Sequence, residues 1–432
     1  MVDTKRHLRA FLADLFRTAV AAAHPAECLP PLLPAPPDGR LILLSAGKAA
    51  GSMAEVAEGF YLDRLKLPAE RLEGIAVARH GYGRPTRVAR MIEAGHPIPD
   101  AAGLEAADRA LALADSGGPN DLVLVLMSGG ASANWIAPAA GISFEDKQSV
   151  TRALLRVGAN IGDINKVRKH LSNIKGGRLA RHAYPARLVT IAISDVPGDD
   201  PSAIGSGPTV PDPSTLAQAR AIVAKYKLEL PASVTRALND ARNETPKPGD
   251  PVFAGSTFAL AARPADALAA AQAAVRAAGY DCISLGADVE GEAREVAGAH
   301  AKLAHELRAQ GARAVILSGG ELTVTLRGKG RGGPNQEYAL ALALGLAGMP
   351  AVAALSADTD GTDGGAGAAS DPAGAMLDGE TAARAKARGL DPAAFLNHNN
   401  STEFFEALGD LLLPGPTFTN VNDFRAIVVD RP

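Results

Sequence analysis

The stretch Leu41-Ile-Leu-Leu-Ser45-Ala-Gly47-Lys48-Ala-Ala-Gly51 joins four large apolar residues to a glycine turn and a run of small residues. An apolar run of this length without polar alternation is typical of a parallel strand that is covered on both faces. The glycine turn and the small residues after it are typical of a strand that leads into a helix. This stretch therefore predicts one strand–turn–helix unit of an α/β fold.

The same pattern recurs along the chain. Further apolar runs that predict strands lie at 75–78, 122–127, 188–193, 282–285, 314–317 and 352–355. Helical patterns lie between the strands at 101–115, 144–158, 260–278 and 291–310. Ser143 is the expected N-cap of the second of these helices. The sequence therefore predicts an α/β fold with open, mainly parallel sheets.

Length and charge limit the organisation and the partners. A chain of 432 residues is expected to form two or three domains, each with its own core. The polar segment Asn243-Glu-Thr-Pro-Lys-Pro-Gly-Asp250 is rich in breakers and suggests a boundary. We therefore divide the chain into domains of residues 1–245 and 246–432. The formal net charge of −3 argues against a nucleic-acid partner.

Cysteine usage and hydropathy indicate the cellular compartment in which the protein is expected. Cys28 and Cys282 are the only cysteines and have no metal-ligand spacing, so a reducing compartment is expected. Leu8, Leu12 and Leu15 follow helical spacing rather than the pattern of a leader peptide. The uncharged run 338–357 contains glycines and a proline, which favours a buried helix and strand over a membrane span. We expect a cytoplasmic protein that has no membrane partner.

The turn at Gly47 and Lys48 is the first candidate site. Helix N-termini at strand ends bind phosphate and carboxylate through free N–H groups, and glycine allows a close approach of the anion. Lys48 would neutralise charge there. The segment is neither a Walker loop nor a G-x-G-x-x-G dinucleotide motif. A plain helix start with a solvated lysine is the alternative.

Two Ser-Gly-Gly turns follow predicted strands. One is Ser128-Gly129-Gly130, and the other is Ser318-Gly319-Gly320, which precedes Glu321. Each alone is compatible with a simple strand-to-helix turn. Together they favour a pair of anion sites at strand ends.

The segment from Asn165 to Arg181 contains six cations and no acid. Arg168 and Lys175 are its candidates for phosphate binding, because arginine offers a fork of donors and lysine a point charge. A solvated helix face is the alternative for such a run. His170 is expected to be structural.

Asp195 ends another predicted strand and precedes the glycine-rich turn at Ser206-Gly207. A carboxylate facing a phosphate-binding turn is a natural ligand of Mg²⁺. An aspartate that only caps its own turn is the alternative.

Three further polar loops lie in the second half. The loop with Asp358, Asp360 and Asp363 fails the EF-hand pattern but suits a metal or a polyhydroxylated substrate. A basic glycine-rich turn contains Arg331 and leads to Asn335, and a polar turn with Asn420 precedes the closing strand.

Taken together, these motifs resemble the class II glycerate kinases, whose C-terminal portion is the MOFRL domain. The matching segments, in the family order, are Ser-Ala-Gly-Lys-Ala-Ala at 45–50, Met-Ser-Gly-Gly-Ala-Ser at 127–132, Val-Arg-Lys-His-Leu-Ser…Lys-Gly-Gly at 167–177, Ile-Ser-Asp-Val-Pro-Gly-Asp at 193–199, Ser-Gly-Pro-Thr at 206–209, Ser-Gly-Gly-Glu at 318–321, Gly-Gly-Pro-Asn-Gln-Glu at 332–337, Asp-Thr-Asp-Gly-Thr-Asp-Gly at 358–364 and Thr-Asn-Val-Asn-Asp at 419–423.

The resemblance implies two α/β domains, the larger one Rossmann-like, with the active site in the cleft between them. It implies that ATP and Mg²⁺ act on D-glycerate to give 2-phosphoglycerate, and it leaves a homodimer open. Lys48, Asp195 and Arg331 are then the catalytic candidates, and Asp195 and Asp360 are the metal candidates. The substrate- and nucleotide-binding candidates are Gly47, Ser128, Gly129, Gly130, Arg168, Lys175, Ser206, Gly207, Ser318, Gly319, Gly320, Glu321, Asn335, Asp360, Asp363 and Asn420.

One departure affects these assignments. Pro334 stands where several members of the family have arginine, so Arg331 or a residue of 166–178 would have to replace that side chain. Two other functions stay open. One is an NAD(P)H-dependent hydroxypyruvate reductase, which lacks support from a dinucleotide motif. The other is a sensor that binds a sugar acid or a nucleotide, which would not need Lys48 together with several strand-end carboxylates.

Overall fold

The computed structural model describes residues 4–365 and 367–431. They form two compact units. The first unit is Leu29–Ala261, and the second combines the segment up to Cys28 with the segment from Ala262 onward. The domain boundary at residue 245 stays a prediction.

The strands are β1 (Leu41–Ala46), β2 (Leu72–Arg79), β3 (Arg90–Ala94), β4 (Leu122–Met127), β5 (Arg187–Ile193), β6 (Thr257–Ala262), β7 (Asp281–Ser284), β8 (Gly291–Glu292), β9 (Ala314–Ser318), β10 (Leu322–Thr323), β11 (Val352–Asp358), β12 (Gly374–Asp378), β13 (Leu411–Leu412) and β14 (Asp423–Val429). The helices are α1 (Thr4–Ala22), α2 (Pro25–Cys28), α3 (Ala50–Glu58), α4 (Ala101–Asp115), α5 (Ala131–Asn134), α6 (Phe144–Arg156), α7 (Ile161–His170), α8 (Arg178–Ala183), α9 (Leu216–Lys225), α10 (Ala232–Asn239), α11 (Pro264–Ala277), α12 (Ala293–Ala309), α13 (Pro334–Gly345), α14 (Thr381–Ala387), α15 (Pro392–Asn397) and α16 (Ser401–Leu408).

The sheet of the first unit has the strand order β3-β2-β1-β4-β5-β6. Its pairings from β3 to β5 are parallel. This is the strand order of the Rossmann fold. Every residue of β1 and β4 is buried, which explains why these strands show no polar alternation. The predicted Rossmann-like parallel sheet is confirmed.

Helix α4 shows why alanine-rich segments form the helical layer of this unit. Asp100 caps it by accepting a hydrogen bond from Gly103 N at 3.1 Å. Ala106, Ala110 and Ala114 follow one another every four residues and are fully buried against the sheet core. Their small side chains let the helix lie close to the strands. The predicted bounds of this helix match the observed ones.

The sheet of the second unit has the strand order β13-β12-β11-β14-β9-β7. Within this sheet the pairings from β13 to β9 are antiparallel, and β7 and β9 pair in parallel. Strands β8 and β10 form a separate parallel pair. The antiparallel pairings correct the expectation of parallel strands in the second half. Strand β11 packs against both α1 and α13. Burial of this kind gives antiparallel strands the uninterrupted apolar runs that otherwise indicate parallel pairing.

Several element boundaries differ from the prediction by one to four residues, and the helix predicted over 260–278 shows the clearest difference. The helix expected over 260–278 begins only at Pro264, because Thr257–Ala262 forms β6. Pro264 is at the first helical position, where its missing N–H costs nothing. In the described parts of the chain, no helix is both long and apolar enough to cross a membrane.

Candidate functional site

The first unit contains the point where the strand order reverses. From β1 the chain builds outward to β2 and β3, and then crosses to β4 on the other side of β1. In open α/β sheets, ligands bind at this reversal, at the carboxyl ends of the strands. Strands β1 and β4 are in register, with Ala46 opposite Met127. The turns at Gly47 and Ser128 therefore start side by side.

Direct hydrogen bonds join the two turns. Lys48 N donates to Gly129 O at 2.8 Å, and Ala49 N donates to the Ser128 hydroxyl at 2.9 Å. Gly47 has φ +120°, and a Cβ on it would lie 2.5 Å from Ser128 O. Only glycine fits a position that is both left-handed and this crowded. We call the surroundings of these two turns the switch-point site.

A histidine that the sequence analysis did not identify lies at the switch-point site. Gly130 has φ +87°, and a Cβ on it would lie 2.9 Å from His96 Cδ2 and 3.3 Å from Lys48 Cγ. The buried Asn134 donates from Nδ2 to Gly95 O at 3.2 Å, which fixes the backbone before His96. Gly130 therefore makes room for the side chains of His96 and Lys48. No periodic pattern in the sequence places a loop histidine next to a distant turn.

Ser132 connects the other first-unit candidates. Its hydroxyl accepts from Arg168 Nη2 at 3.0 Å and from Lys175 Nζ at 2.8 Å. Lys175 Nζ also donates to Ser132 O at 2.7 Å. The Ser206 hydroxyl lies 2.9 Å from the Ser132 hydroxyl, and Ser206 and Gly207 have φ +65° and +61°. The structure thus brings Arg168, Lys175 and Ser206 together around one serine.

A cavity of about 350 Å³ opens beside Ser132. We call it the cation pocket. Its lining residues are Pro97, Ile98, Pro99, Ser132, Ile136, Lys147, Gln148, Thr151, Arg152, Leu155, Arg168 and Lys175. They include four basic residues and no acidic one. Lys147 is new to the site, although a signal existed: with Val150 and Leu154 it forms the buried stripe of α6.

The two lysines of the cation pocket have strongly lowered pKa values. Burial, reinforced by the charge of Arg168, holds the pKa of both Lys147 and Lys175 well below its usual value. Lys147 Nζ donates to Leu171 O at 2.6 Å. Within the described residues, the two lysines therefore donate hydrogen bonds only to neutral oxygens, and the charges that act on them are those of neighbouring basic groups.

The rest of the basic segment has a different arrangement. Lys169 pairs with Asp212 at 3.4 Å, and both are buried. His170 is buried, with Nε2 3.0 Å from Glu244 and Nδ1 2.8 Å from Lys166 O. Burial opposes ionisation of Glu244, but hydrogen bonds from Lys247, the backbone of Leu216 and His170 lower its pKa to about 2. These contacts hold the helices of the unit together, in agreement with the structural role expected for His170.

Asp195 stands at the end of β5, beside the Ser128 turn at the end of β4, and is half-buried. In the same loop, Asp199 has φ +54°, and its Oδ1 is buried without a hydrogen-bond partner among the described residues. Nowhere in the described chain do three or more His, Cys, Asp or Glu side chains group as a metal site. Mg²⁺ needs fewer, since one or two carboxylates and substrate phosphates hold it. The loop therefore fits Mg²⁺ without forming a complete cage.

Two second-unit candidates, Asn335 and Asp363, lie in one buried network. Asn335 Nδ2 donates to Asp423 at 2.6 Å, and its carbonyl oxygen accepts from Ser356 at 2.6 Å. Asp363 accepts from Asn335 N at 3.0 Å and from Gln336 N at 2.8 Å. Asp363 therefore caps the N-terminus of α13 from a distant loop. Its predicted ligand role stays a prediction that this geometry does not favour.

Burial dominates the electrostatics of this network. It raises the pKa of Asp363 to about 7, against the hydrogen bonds that favour the carboxylate. Burial also raises the pKa of Asp423, which pairs with Arg425 at 2.9 Å. Arg425 also donates to the Ser318 hydroxyl at 3.1 Å and to Gly319 O. The second Ser-Gly-Gly turn is thus held by an arginine from β14.

The remaining second-unit candidates differ in exposure. Asp360 and Asn420 are buried, and Asp360 Oδ1 accepts from Thr362 N at 2.8 Å within its own turn. Gly320 has φ +93°, and Glu321 after it is exposed. Arg331 is exposed and lies 3.3 Å from Glu406. Its contacts are those of a surface ion pair, so its catalytic role stays a prediction.

Both halves of the chain match known families. Residues 11–239 match the model of a domain of unknown function, DUF4147, and residues 314–423 match the MOFRL family. A protein of Agrobacterium vitis with the provisional name hydroxypyruvate reductase is 46% identical over 98% of this chain and 94% of its own length. D-glycerate 2-kinase of Thermotoga maritima is 36% identical over 96% of this chain and 97% of its own length. Glycerate kinase of Homo sapiens is 35% identical over 97% of this chain and 92% of its own length.

A solved structure agrees with these relatives. The crystal structure of glycerate kinase from Thermotoga maritima matches with a TM-score of 0.86 at 35% identity, covering 98% of this chain and 100% of that one.

Proposed function

The chain belongs to the glycerate kinase family, and on that premise we propose that it transfers the γ-phosphoryl group of ATP to the 2-hydroxyl of D-glycerate. The products are 2-phosphoglycerate and ADP. Curated relatives named glycerate 2-kinase support the reaction and the position of transfer. The structural observation that carries the proposal is the hydrogen-bonded pair of turns at the switch-point site, with Lys48 between them.

Phosphoryl transfer depends mainly on positioning and on charge stabilisation. The turns at Gly47 and Gly129 fix the backbone from which Lys48 extends, so its charge is held where β1 and β4 diverge. In this proposal, Lys48 stabilises the negative charge that develops on the transferred group. The 2-hydroxyl of glycerate attacks in line, and Asp195 or His96 accepts its proton.

Mg²⁺ would supply shielding of the phosphate charge when it is bound with ATP. Asp195 and Asp199 are our candidates for holding it in the first unit, because Asp199 Oδ1 is buried and has no hydrogen-bond partner among the described residues. Asp360 is the candidate in the second unit. Arg331 is the proposed substitute for the arginine that other members have in place of Pro334.

The provisionally named Agrobacterium vitis relative favours a second candidate, hydroxypyruvate reductase. The turn after β1 reads Gly47-Lys48-Ala-Ala-Gly51 and lacks the second glycine with which a Rossmann turn approaches a dinucleotide pyrophosphate. Ala49 occupies that position, directly after Lys48. In the proposed kinase reaction, Lys48 neutralises phosphate charge, which is a role that lysine fills well.

The position of transfer has a direct test. The purified chain is incubated with ATP, Mg²⁺ and D-glycerate, and the product is given to enolase alone. Enolase dehydrates 2-phosphoglycerate but leaves 3-phosphoglycerate unchanged. Formation of phosphoenolpyruvate without added mutase supports the proposal, and product that reacts only after mutase is added contradicts the 2-kinase assignment.

A further inference from the structure

The cation pocket contains buried basic side chains that no acidic residue of the described chain pairs with. Lys147 and Lys175 are 4% and 1% exposed, yet neither they nor Arg168 forms an ion pair with a described residue. Buried charges in proteins are normally paired, because leaving water is costly. The same unit follows this rule elsewhere: buried Lys169 has Asp212 as its partner.

The hydrogen bonds leave donors available in the pocket. Lys147 uses one N–H for Leu171 O, and Lys175 uses two for Ser132. Arg168 spends one Nη2 hydrogen on the Ser132 hydroxyl, which leaves most of its donor fork for another acceptor. Because these donors are available and no acidic side chain of the described residues lies among them, the pocket suits an oxyanion ligand. No glycine-rich turn, the usual phosphate cradle, lines this cavity.

The pocket is continuous in sequence with the switch-point site. Ser132 follows Gly130 by two residues, and Pro97 follows His96 directly. Its remaining wall is apolar and includes Ile98. An arginine fork flanked by two ammonium groups matches a carboxylate, and apolar walls suit the short carbon chain attached to it.

We propose that the cation pocket is the carboxylate subsite for a short 2-hydroxy acid, in which Arg168, Lys147 and Lys175 bind the carboxylate. This inference rests on the proposed function, because it names the part of the site that selects the acceptor. In this proposal, Lys48 and the glycine turns of the switch-point site bind the nucleotide phosphates. The three basic residues are thus specificity determinants, and a bound carboxylate explains why they have no acidic partner among the described residues.

Lys147→Met tests the proposal, since methionine keeps the length of the side chain and removes the charge. Arg156→Met is the matched control, because Arg156 is an exposed cation of the same helix and does not line the pocket. Binding of D-glycerate, ATP and inorganic phosphate to the full chain is measured by titration calorimetry. Direct binding does not depend on turnover, so a wrong kinase assignment and a wrong subsite give different results.

We expect Lys147→Met to weaken D-glycerate binding by roughly 30-fold or more, with ATP affinity within about twofold of wild type. Arg156→Met should leave both affinities unchanged. Loss of ATP or phosphate affinity with D-glycerate binding retained would instead assign the pocket to a phosphate and overturn the proposal. Unchanged binding of all three ligands would overturn it as well. If the wild-type chain phosphorylates D-glycerate but Lys147→Met binds D-glycerate normally, the kinase assignment stands and only the subsite is rejected.

Stability separates a binding role from a structural one. If Lys147 were needed for the fold, replacing it would destabilise the chain. Replacing an unpaired buried charge should not destabilise it, so unliganded Lys147→Met should melt no lower than wild type, and D-glycerate should raise the melting temperature of wild type only. If Lys147→Met does not fold, Arg168→Lys is measured in its place. Lysine keeps the charge but loses the fork, so roughly tenfold weaker D-glycerate binding is expected, and unchanged binding would count against the subsite.

Discussion

The backbone N–H of Lys48 donates to the carbonyl of Gly129 at 2.8 Å, so the turn after β1 is bonded to the turn after β4. These turns are 81 positions apart in the chain and meet only because β1 and β4 are adjacent and in register. The bond fixes the start of the Lys48 side chain relative to the glycine turn. The site is therefore preorganised by the sheet rather than by either loop.

Lys48→Ala should reduce the turnover of D-glycerate by roughly 10²–10³-fold, because a positioned charge at the transferred group acts in the transition state. The free energy of unfolding should change little, since the side chain is half-buried at a loop. Steady-state kinetics and a urea melt measure both. Near wild-type turnover would remove Lys48 from the catalytic group.

Gly47→Ala should disrupt the contact between the two turns. The added Cβ would lie 2.4 Å from the Ser128 hydroxyl and 2.5 Å from Ser128 O, at φ +120°. We expect a loss of roughly 2–4 kcal/mol in the free energy of unfolding, together with most activity. Gly141→Ala is the control, because Gly141 also has a positive φ but nothing within 4 Å of its added Cβ. Equal losses for the two variants would show that backbone strain, and not the close approach, matters.

Asp363→Ala should destabilise the second unit, because Asp363 accepts the first N–H groups of α13 in a buried position. Loss of this cap and of the buried hydrogen bonds should cost roughly 2–4 kcal/mol. Chemical denaturation of the variant gives the value. A variant of normal stability with a raised KM for substrate would contradict the capping role and restore Asp363 as a ligand residue.

His300 should make stability depend on pH. Burial, with a smaller effect of Arg425, lowers its pKa to about 4, whereas an unfolded histidine titrates near 6.5. Between these values the unfolded state binds the proton more readily, so stability that is full above about pH 6.5 is lost as the pH falls toward 4. The expected loss is on the order of 2–3 kcal/mol.

The His300 prediction is checked by thermal melts between pH 4 and 7. His300→Phe keeps a ring against Tyr338, with which His300 makes an edge contact at 5.7 Å between centroids, and should flatten the pH dependence. His398→Gln, at an exposed position, should not. An identical slope in wild type and His300→Phe would show that other groups cause the pH dependence.

The sequence predicted the first unit better than the second. The apolar runs of β1, β4 and β5 identified a parallel Rossmann-like sheet, and the family assignment from motifs is confirmed by the relatives. The second sheet was expected to be parallel because burial on both faces erases the alternation that marks antiparallel strands. Strand direction there depends on tertiary pairing, which the local pattern does not encode.

The site shows the same division. The turns at Lys48 and Ser128 were predictable, because each is a local strand–glycine pattern. His96 was not, since it reaches Gly130 through a tertiary contact. Lys147 was recognisable as a lysine on the apolar stripe of α6, but its neighbours Arg168 and Lys175 come from other segments. The sequence shows that these basic residues exist, but only the fold shows that they line the same pocket.

The most direct test of the central claim offers the purified chain two substrate pairs in parallel. One is D-glycerate with ATP and Mg²⁺, followed by ADP release, and the other is hydroxypyruvate with NADH or NADPH, followed by nicotinamide absorbance. The account predicts ADP formation that requires D-glycerate and disappears in Lys48→Ala, with no oxidation of nicotinamide. Nicotinamide oxidation that needs no ATP, with no glycerate-dependent ADP, would contradict it.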